Sequence, residues 1–278
     1  MLRQRVITAI VLLALLLPAL FAARTWPFAL LTLALIGAGG WEWGRLNGAG
    51  GVVAMSLGVL IVAIGLLFLH TDPPRTGQAL CWQIGAALWI VGGAAALRTG
   101  PAGWARLPRL LRWAIGVVVL SLGWAAIASA RVAGLNFVLS VLCIVWAADI
   151  AAYFGGRALG RRKLAPTISP GKTWEGAAAG LLGVGLLAVA WLLTEAAVPV
   201  DSASVFRLML QRGGAVGLLV AIVLLTGLSI VGDLFESLVK RAVGAKDSSR
   251  LLPGHGGVLD RIDALLPVLP AAMALVTV

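Results

Sequence analysis

Long apolar blocks separated by short polar stretches make up most of this chain. They fall at about residues 5–23, 25–44, 51–70, 80–97, 110–130, 134–154, 174–195, 214–234 and 262–278. Each approaches the ~20 residues that a helix needs to cross ~30 Å of hydrocarbon. The pattern predicts an all-α fold, a polytopic integral membrane protein with about nine transmembrane helices. The first two blocks almost touch, so a tight turn is expected at Arg24–Pro27, and the last block is the shortest. The first block, preceded by Arg3 and Arg5, has the outline of a signal peptide. Leu20 or Phe21 stands where a cleavage site wants a small residue, so it reads as an uncleaved first span.

Composition supports a lipid environment. Of 278 residues, 60% are hydrophobic and 12% charged, and the mean hydropathy is +1.01. That charged share is about half the roughly 25% of soluble domains. The net charge of +11 is unevenly placed. With the N-terminus in the cytoplasm, the inner segments hold 17 of the 22 Lys and Arg residues and the outer segments hold 5. This split predicts an N-in, C-out protein. The excess positive charge points to a membrane face and anionic ligands, and no nucleic acid is expected. Cys81 and Cys143, both in apolar runs, read as packing residues. Residues 1–130, about five helices, carry only generic hydrophobicity, whereas 131–278 hold the candidate chemistry.

Two inner loops stand out. Residues 155–173 hold five basic residues and no acid; residues 235–261 hold five basic residues, a histidine and acids. Topology alone needs one or two positive charges, so loops this rich in Gly, Pro, Ser and Thr suggest folded anion-binding segments. Eight of the 11 acids also lie at this face: Glu42, Asp149, Glu175, Asp233, Glu236, Asp247, Asp260 and Asp263. The positive-inside rule does not favour acids there. Carboxylates to hold Mg²⁺, cations and amides to hold phosphate oxygens, and glycines for close approach are the parts of a metal–phosphate site.

Individual positions admit plainer readings too. Asp260 and Asp263, spaced i, i+3, are expected on one face at the start of the last helix, where Asp260 could equally be an N-cap. The Pro253-Gly254-His255-Gly256-Gly257 run before them suits a ligand loop. His255 reads either as a phosphate donor or general acid, or as an ordinary loop residue. Asp233, Ser237 and Lys240 share one stripe, and an internal ion pair there would also let Asp233 stay in the membrane. Asp149 lies about 12 Å into the sixth span, by helix rise from Arg157. An intramembrane acid marks a site by default, and a salt bridge to Arg157 or Lys172 is the alternative. Gly171-Lys172-Thr173 looks like the end of a P-loop, but Pro166 occupies the first glycine position and no strand is expected before it. Gly176 and Gly180 read as a helix-packing notch.

Taken in order, these residues resemble the CDP-diacylglycerol synthase (phosphatidate cytidylyltransferase) family, in its bacterial form. The run SLVKRAVGAKDSSRLLPGHGGVLDRID, Ser237 to Asp263, matches the family signature throughout, and DIAAYFGGRALGRRKLAPTISPGKTWEG, Asp149 to Gly176, matches upstream. The resemblance implies transfer of CMP from CTP to phosphatidic acid, giving CDP-diacylglycerol and pyrophosphate. It further implies Mg²⁺, alone or with a second cation, a homodimer, and a bacterial inner-membrane location with the site open to cytoplasm and lipid bilayer. On this reading Asp260 and Asp263 hold the metal, with Asp233 as a third ligand. Lys240, Arg241, Lys246, Arg261 and Lys172 hold phosphates, His255 and Ser237 complete the signature, and Asp149 with Ser169 closes the other wall. A CTP-dependent kinase of isoprenoid alcohols is the rival in the same class; a transporter is the rival outside it.

Overall fold

A computed structural model describes residues 2–71 and 75–277, with side chains from Gln4 to Thr71 and from Gly77 to Thr277. Arg3, Arg75 and Asp72, part of the charge pattern above, have side chains outside this range, as does Val278. The helices are α1 (Leu2–Phe21), α2 (Trp26–Leu46), α3 (Gly51–Thr71), α4 (Arg75–Ala87), α5 (Ala94–Arg106), α6 (Arg109–Ala133), α7 (Leu135–Leu159), α8 (Trp174–Ala197), α9 (Val205–Ala242), α10 (Leu259–Ile262) and α11 (Leu265–Thr277). A π-helical turn, Leu88–Gly93, joins α4 to α5 in one apolar stretch. Among the described residues seven helices are long and apolar enough to cross a membrane. The chain is therefore an all-α polytopic membrane protein.

Small residues set the helix spacing. A Cβ on Gly40 of α2 would lie 3.1 Å from the Gly58 Cα of α3. Cβ atoms on Gly176 and Gly180 of α8 would lie 2.9 Å and 3.0 Å from the Ala152 and Ala148 carbonyls of α7. The expected notch is thus the α7–α8 contact, where backbones approach because no side chain intervenes.

Several boundaries differ from the hydropathy windows. The first turn is at residues 22–25, and Pro27 lies inside the first turn of α2, where its missing N–H costs nothing. Helix α7 runs on to Leu159, and the rest of the first polar loop forms an antiparallel hairpin, β1 (Lys163–Ala165) with β2 (Ser169–Thr173). A strand therefore does lead into α8, contrary to expectation, but it makes no phosphate-cradling turn. Thr173 simply caps α8, its Oγ accepting from the Gly176 N–H at 3.1 Å. Helix α9 starts nine residues early, kinked at Gly214 (φ 58°), and extends to Ala242, so the second polar loop is shorter than 235–261. The expected last span breaks at Asp263–Ala264. Its remainder, α11, has 13 residues, about 20 Å by helix rise, and is buried from Leu266 to Ala274. It packs against α4, α6 and α9 as the centre of the bundle.

The two ends of the bundle are tied differently. At one end, Asp201 accepts from the Leu135 and Asn136 N–H groups to cap α7, and Arg131 donates to the Leu20 and Ala22 carbonyls. Arg212 binds the last carbonyls of α11, at Leu275 and Val276. At the other end, Arg5 and Thr8 of α1 donate to the Gly254 and Pro253 carbonyls, so the chain start sits on the glycine-rich turn.

Candidate active site

The C-terminal end of α9 supplies the first half of the site. Lys240, 8% exposed, lies between Glu236 one turn before it and Asp260 of α10, its Nζ 2.6 Å from Asp260 Oδ1. The other oxygen of Asp260 accepts from the Ser248 N–H and Oγ, both at 2.9 Å, and from the Gly257 N–H at 2.8 Å. Lys240 and the Gly257 and Ser248 N–H groups together satisfy the Asp260 carboxylate as a charged group. Gly256, at φ +84°, makes the turn that brings these amides inward.

Below that junction lies a residue to which the sequence assigned no role. Glu42 of α2 is fully buried and accepts four hydrogen bonds. The donors are Ser249 Oγ at 2.6 Å, the Val258 and Leu259 N–H groups at 2.9 Å, and Ser248 Oγ at 3.1 Å. It caps α10 and closes the loop on itself. Gly257 packs onto it; a Cβ there would lie 2.7 Å from the Glu42 carboxyl carbon. The signal was an acid inside an apolar helix. Nothing in the spacing tied it to residues more than 200 positions away.

The second half of the site gathers around Lys172, presented by β2. Its Nζ lies 2.7 Å from Asp233 Oδ2 of α9. The partner of Asp233 is therefore Lys172 from the hairpin, and not Lys240 from its own stripe. Ser237 does share that stripe, its Oγ 3.4 Å from Asp233 Oδ1. Asp149 of α7 is exposed, feels the charges of Lys172 and Asp233, and makes no ion pair among the described residues. Arg157 turns instead to the Tyr153 hydroxyl. Asp263 carries the field of both Asp233 and Asp149, and its Oδ1 accepts from the Ala264 N–H at 2.7 Å. Asp260 and Asp263 lie one turn apart on continuous helical backbone, Asp263 as the C-cap of α10 with its N–H donating to the Leu259 carbonyl at 3.0 Å, yet the first bonds Lys240 and the loop amides while the second accepts from the Ala264 N–H.

The remaining expected residues have varied places. Arg261 donates twice to the His255 carbonyl and Arg241 donates to the Ala245 carbonyl, so both brace loop backbone. His255 Nδ1 is buried without a hydrogen-bond partner. Lys246 is exposed at the loop edge, and Ser169 starts β2. The N-terminal helices supply the wall behind α9: Phe235 stacks on Trp43 at 6.0 Å and meets Trp89 and Trp104 edge-on at 5.3 and 5.2 Å. These contacts fix the end of α9 that carries Asp233 and Lys240.

Oxygen donors suit Mg²⁺, and carboxylates from three elements converge here. Among the described residues no three His, Cys, Asp or Glu groups form a ready metal cage. Asp233, shared with Lys172, and Asp263 could contribute oxygens to such a cation. Asp260 could join only by releasing contacts to Lys240, Ser248 or Gly257.

The sequence comparisons point the same way. The model of the cytidylyltransferase family matches residues 3–278. A phosphatidate cytidylyltransferase of Pseudomonas aeruginosa is 38% identical over 99% of this chain and 97% of its own length. One from Haemophilus influenzae is 36% identical over 97% and 96%. One from Brucella melitensis is 47% identical over 48% of this chain and 44% of its own. The match extends along nearly the whole chain, and the chain belongs to the cytidylyltransferase family.

Proposed function

We propose that this protein is a phosphatidate cytidylyltransferase, making CDP-diacylglycerol from CTP and phosphatidic acid. The carrying observation is the similarity to named phosphatidate cytidylyltransferases along nearly the whole chain, together with two ion pairs that join signature residues from separate elements, Lys172 with Asp233 and Lys240 with Asp260. In the reaction a phosphate oxygen of phosphatidic acid attacks the α-phosphorus of CTP. The new P–O bond forms as the bond to the β-phosphate breaks, and pyrophosphate leaves with the electron pair. No protein nucleophile is needed, so the residues work by placement and charge neutralisation.

Lys172 and Lys246 hold phosphate oxygens in this reading. Lys240 positions Asp260, and through it the amides of Ser248 and Gly257. Asp263 and Asp233 would hold Mg²⁺, which when bound neutralises phosphate charge. His255, its Nδ1 free of internal bonds, is a donor to a phosphate oxygen. Nine crossings with the N-terminus and the site in the cytoplasm fit the 17 to 5 charge split and the docking of Arg5 and Thr8 on the 253–254 turn. In that arrangement α2 crosses, and α10 with α11 returns to the outer face of the inner membrane. A cysteine at exposed Arg250, with Cys81 and Cys143 replaced by serine, should resist impermeant thiol reagents in intact cells and react in inverted vesicles. Labelling from outside would reverse the orientation.

A further inference from the structure

The segment from Lys246 to Arg250 and the end of α2 enclose an open groove of about 540 Å³. Its walls bring together Arg45, Lys246 and Arg250 against a single carboxylate, Asp247. Among the described residues none of the three cations is in an ion pair. Arg45 lies over the Trp41 ring, 5.4 Å from its centroid, which orients the guanidinium while leaving its N–H groups to a ligand. Ser248 and Ser249 line the groove and are themselves bonded to Glu42 and Asp260, so the loop cations project from fixed backbone. The excess of two positive charges matches a phosphate dianion or a nucleotide triphosphate with one bound Mg²⁺. Through Ser248 the groove abuts the Lys240–Asp260 junction, so an anion held there lies beside the proposed reaction centre.

We propose that this groove is a phosphate-binding subsite built jointly by α2 and the 246–250 segment, with Arg45 and Arg250 as binding residues beside Lys246. It rests on the activity proposed above. Both substrates of that reaction carry phosphate, so the groove holds either the polyphosphate of CTP or the headgroup of phosphatidate. Two of its residues, Trp41 and Arg45, come from the half of the chain that the signature does not reach.

The test is steady-state kinetics on full-length, detergent-purified wild type, Arg45→Ala, Arg250→Ala and, as control, Arg106→Ala, varying Mg·CTP and phosphatidate in turn. Each groove variant should raise KM for one substrate by about 10- to 100-fold with kcat changed far less, as for a lost charge-assisted contact. The substrate whose KM moves identifies the occupant. Arg45→Lys should recover only part of the loss, since an ammonium lacks the planar fork. KM values equal to those of Arg106→Ala for both substrates would overturn the proposal. Should one groove variant be recovered unfolded, the other decides. Loss of both would also count against it, because exposed cations that serve only as ligands do not carry a fold. If wild type makes no CDP-lipid, the activity fails separately. The groove is then judged by calorimetry with inorganic pyrophosphate and by tryptophan quenching with phosphatidate in mixed micelles. Binding weakened in the groove variants supports it, and binding that is absent or unaltered overturns it.

Discussion

Replacing Glu42 by alanine removes the acceptor for four donors at once while leaving all four in place. The two serines can rotate to new partners. The Val258 and Leu259 N–H groups, on residues 3% and 1% exposed, cannot. A buried donor left unpaired costs about 1–3 kcal/mol, so stranding both should cost about 2–6 kcal/mol. The loss should be concentrated in residues 248–259. Glu42→Gln should cost about half as much: its remaining oxygen can keep Ser249 and Val258, while its amide nitrogen meets the Leu259 N–H donor to donor. Hydrogen–deuterium exchange on the purified protein is the direct assay. Exchange should accelerate in the 248–259 segment, with kcat/KM falling because Ser248 and Gly257 no longer hold Asp260. Unchanged exchange and activity in Glu42→Ala would refute the anchoring argument.

Two further substitutions separate roles that the sequence ran together. Lys240→Ala strands two carboxylates in a buried site and should reduce folded yield by the about 3–5 kcal/mol typical of a broken buried pair, whereas Lys246→Ala should fold normally and raise a substrate KM; size-exclusion yield and kinetics distinguish them. Asp263→Asn keeps shape and loses charge, so folding should survive while Mg²⁺-dependent turnover drops by orders of magnitude; wild-type turnover across a Mg²⁺ titration would remove Asp263 from the metal.

Much of this was readable from residue order. Long apolar blocks gave the helical membrane class because backbone groups in lipid must be satisfied within each helix. The spacing of the Lys, Asp and Gly residues at 233–263 marked the segment that folds around the Lys240–Asp260 ion pair. What escaped depends on contacts distant in sequence. The stripe suggested that Lys240 pairs with Asp233, but the hairpin, invisible to hydropathy, delivers Lys172 there instead. The i, i+3 rule placed Asp260 and Asp263 one turn apart, and the backbone is helical through both, but the helix breaks just after Asp263, and it is Asp260 that takes Lys240. Gly232 sits against the backbone of that break, a Cβ there meeting Pro267 at 2.8 Å, and no local pattern announces such a contact. Glu42, one of the acids assigned to the inner face, gained its role only from the fold.

The central claim is tested most directly by incubating the purified protein with phosphatidic acid, Mg²⁺ and CTP labelled at either the α- or the γ-phosphate. The account predicts that α-label enters a lipid product that migrates as CDP-diacylglycerol, while γ-label is released as pyrophosphate. Transfer of γ-label to a lipid would identify a CTP-dependent kinase and contradict it, as would the absence of any labelled lipid.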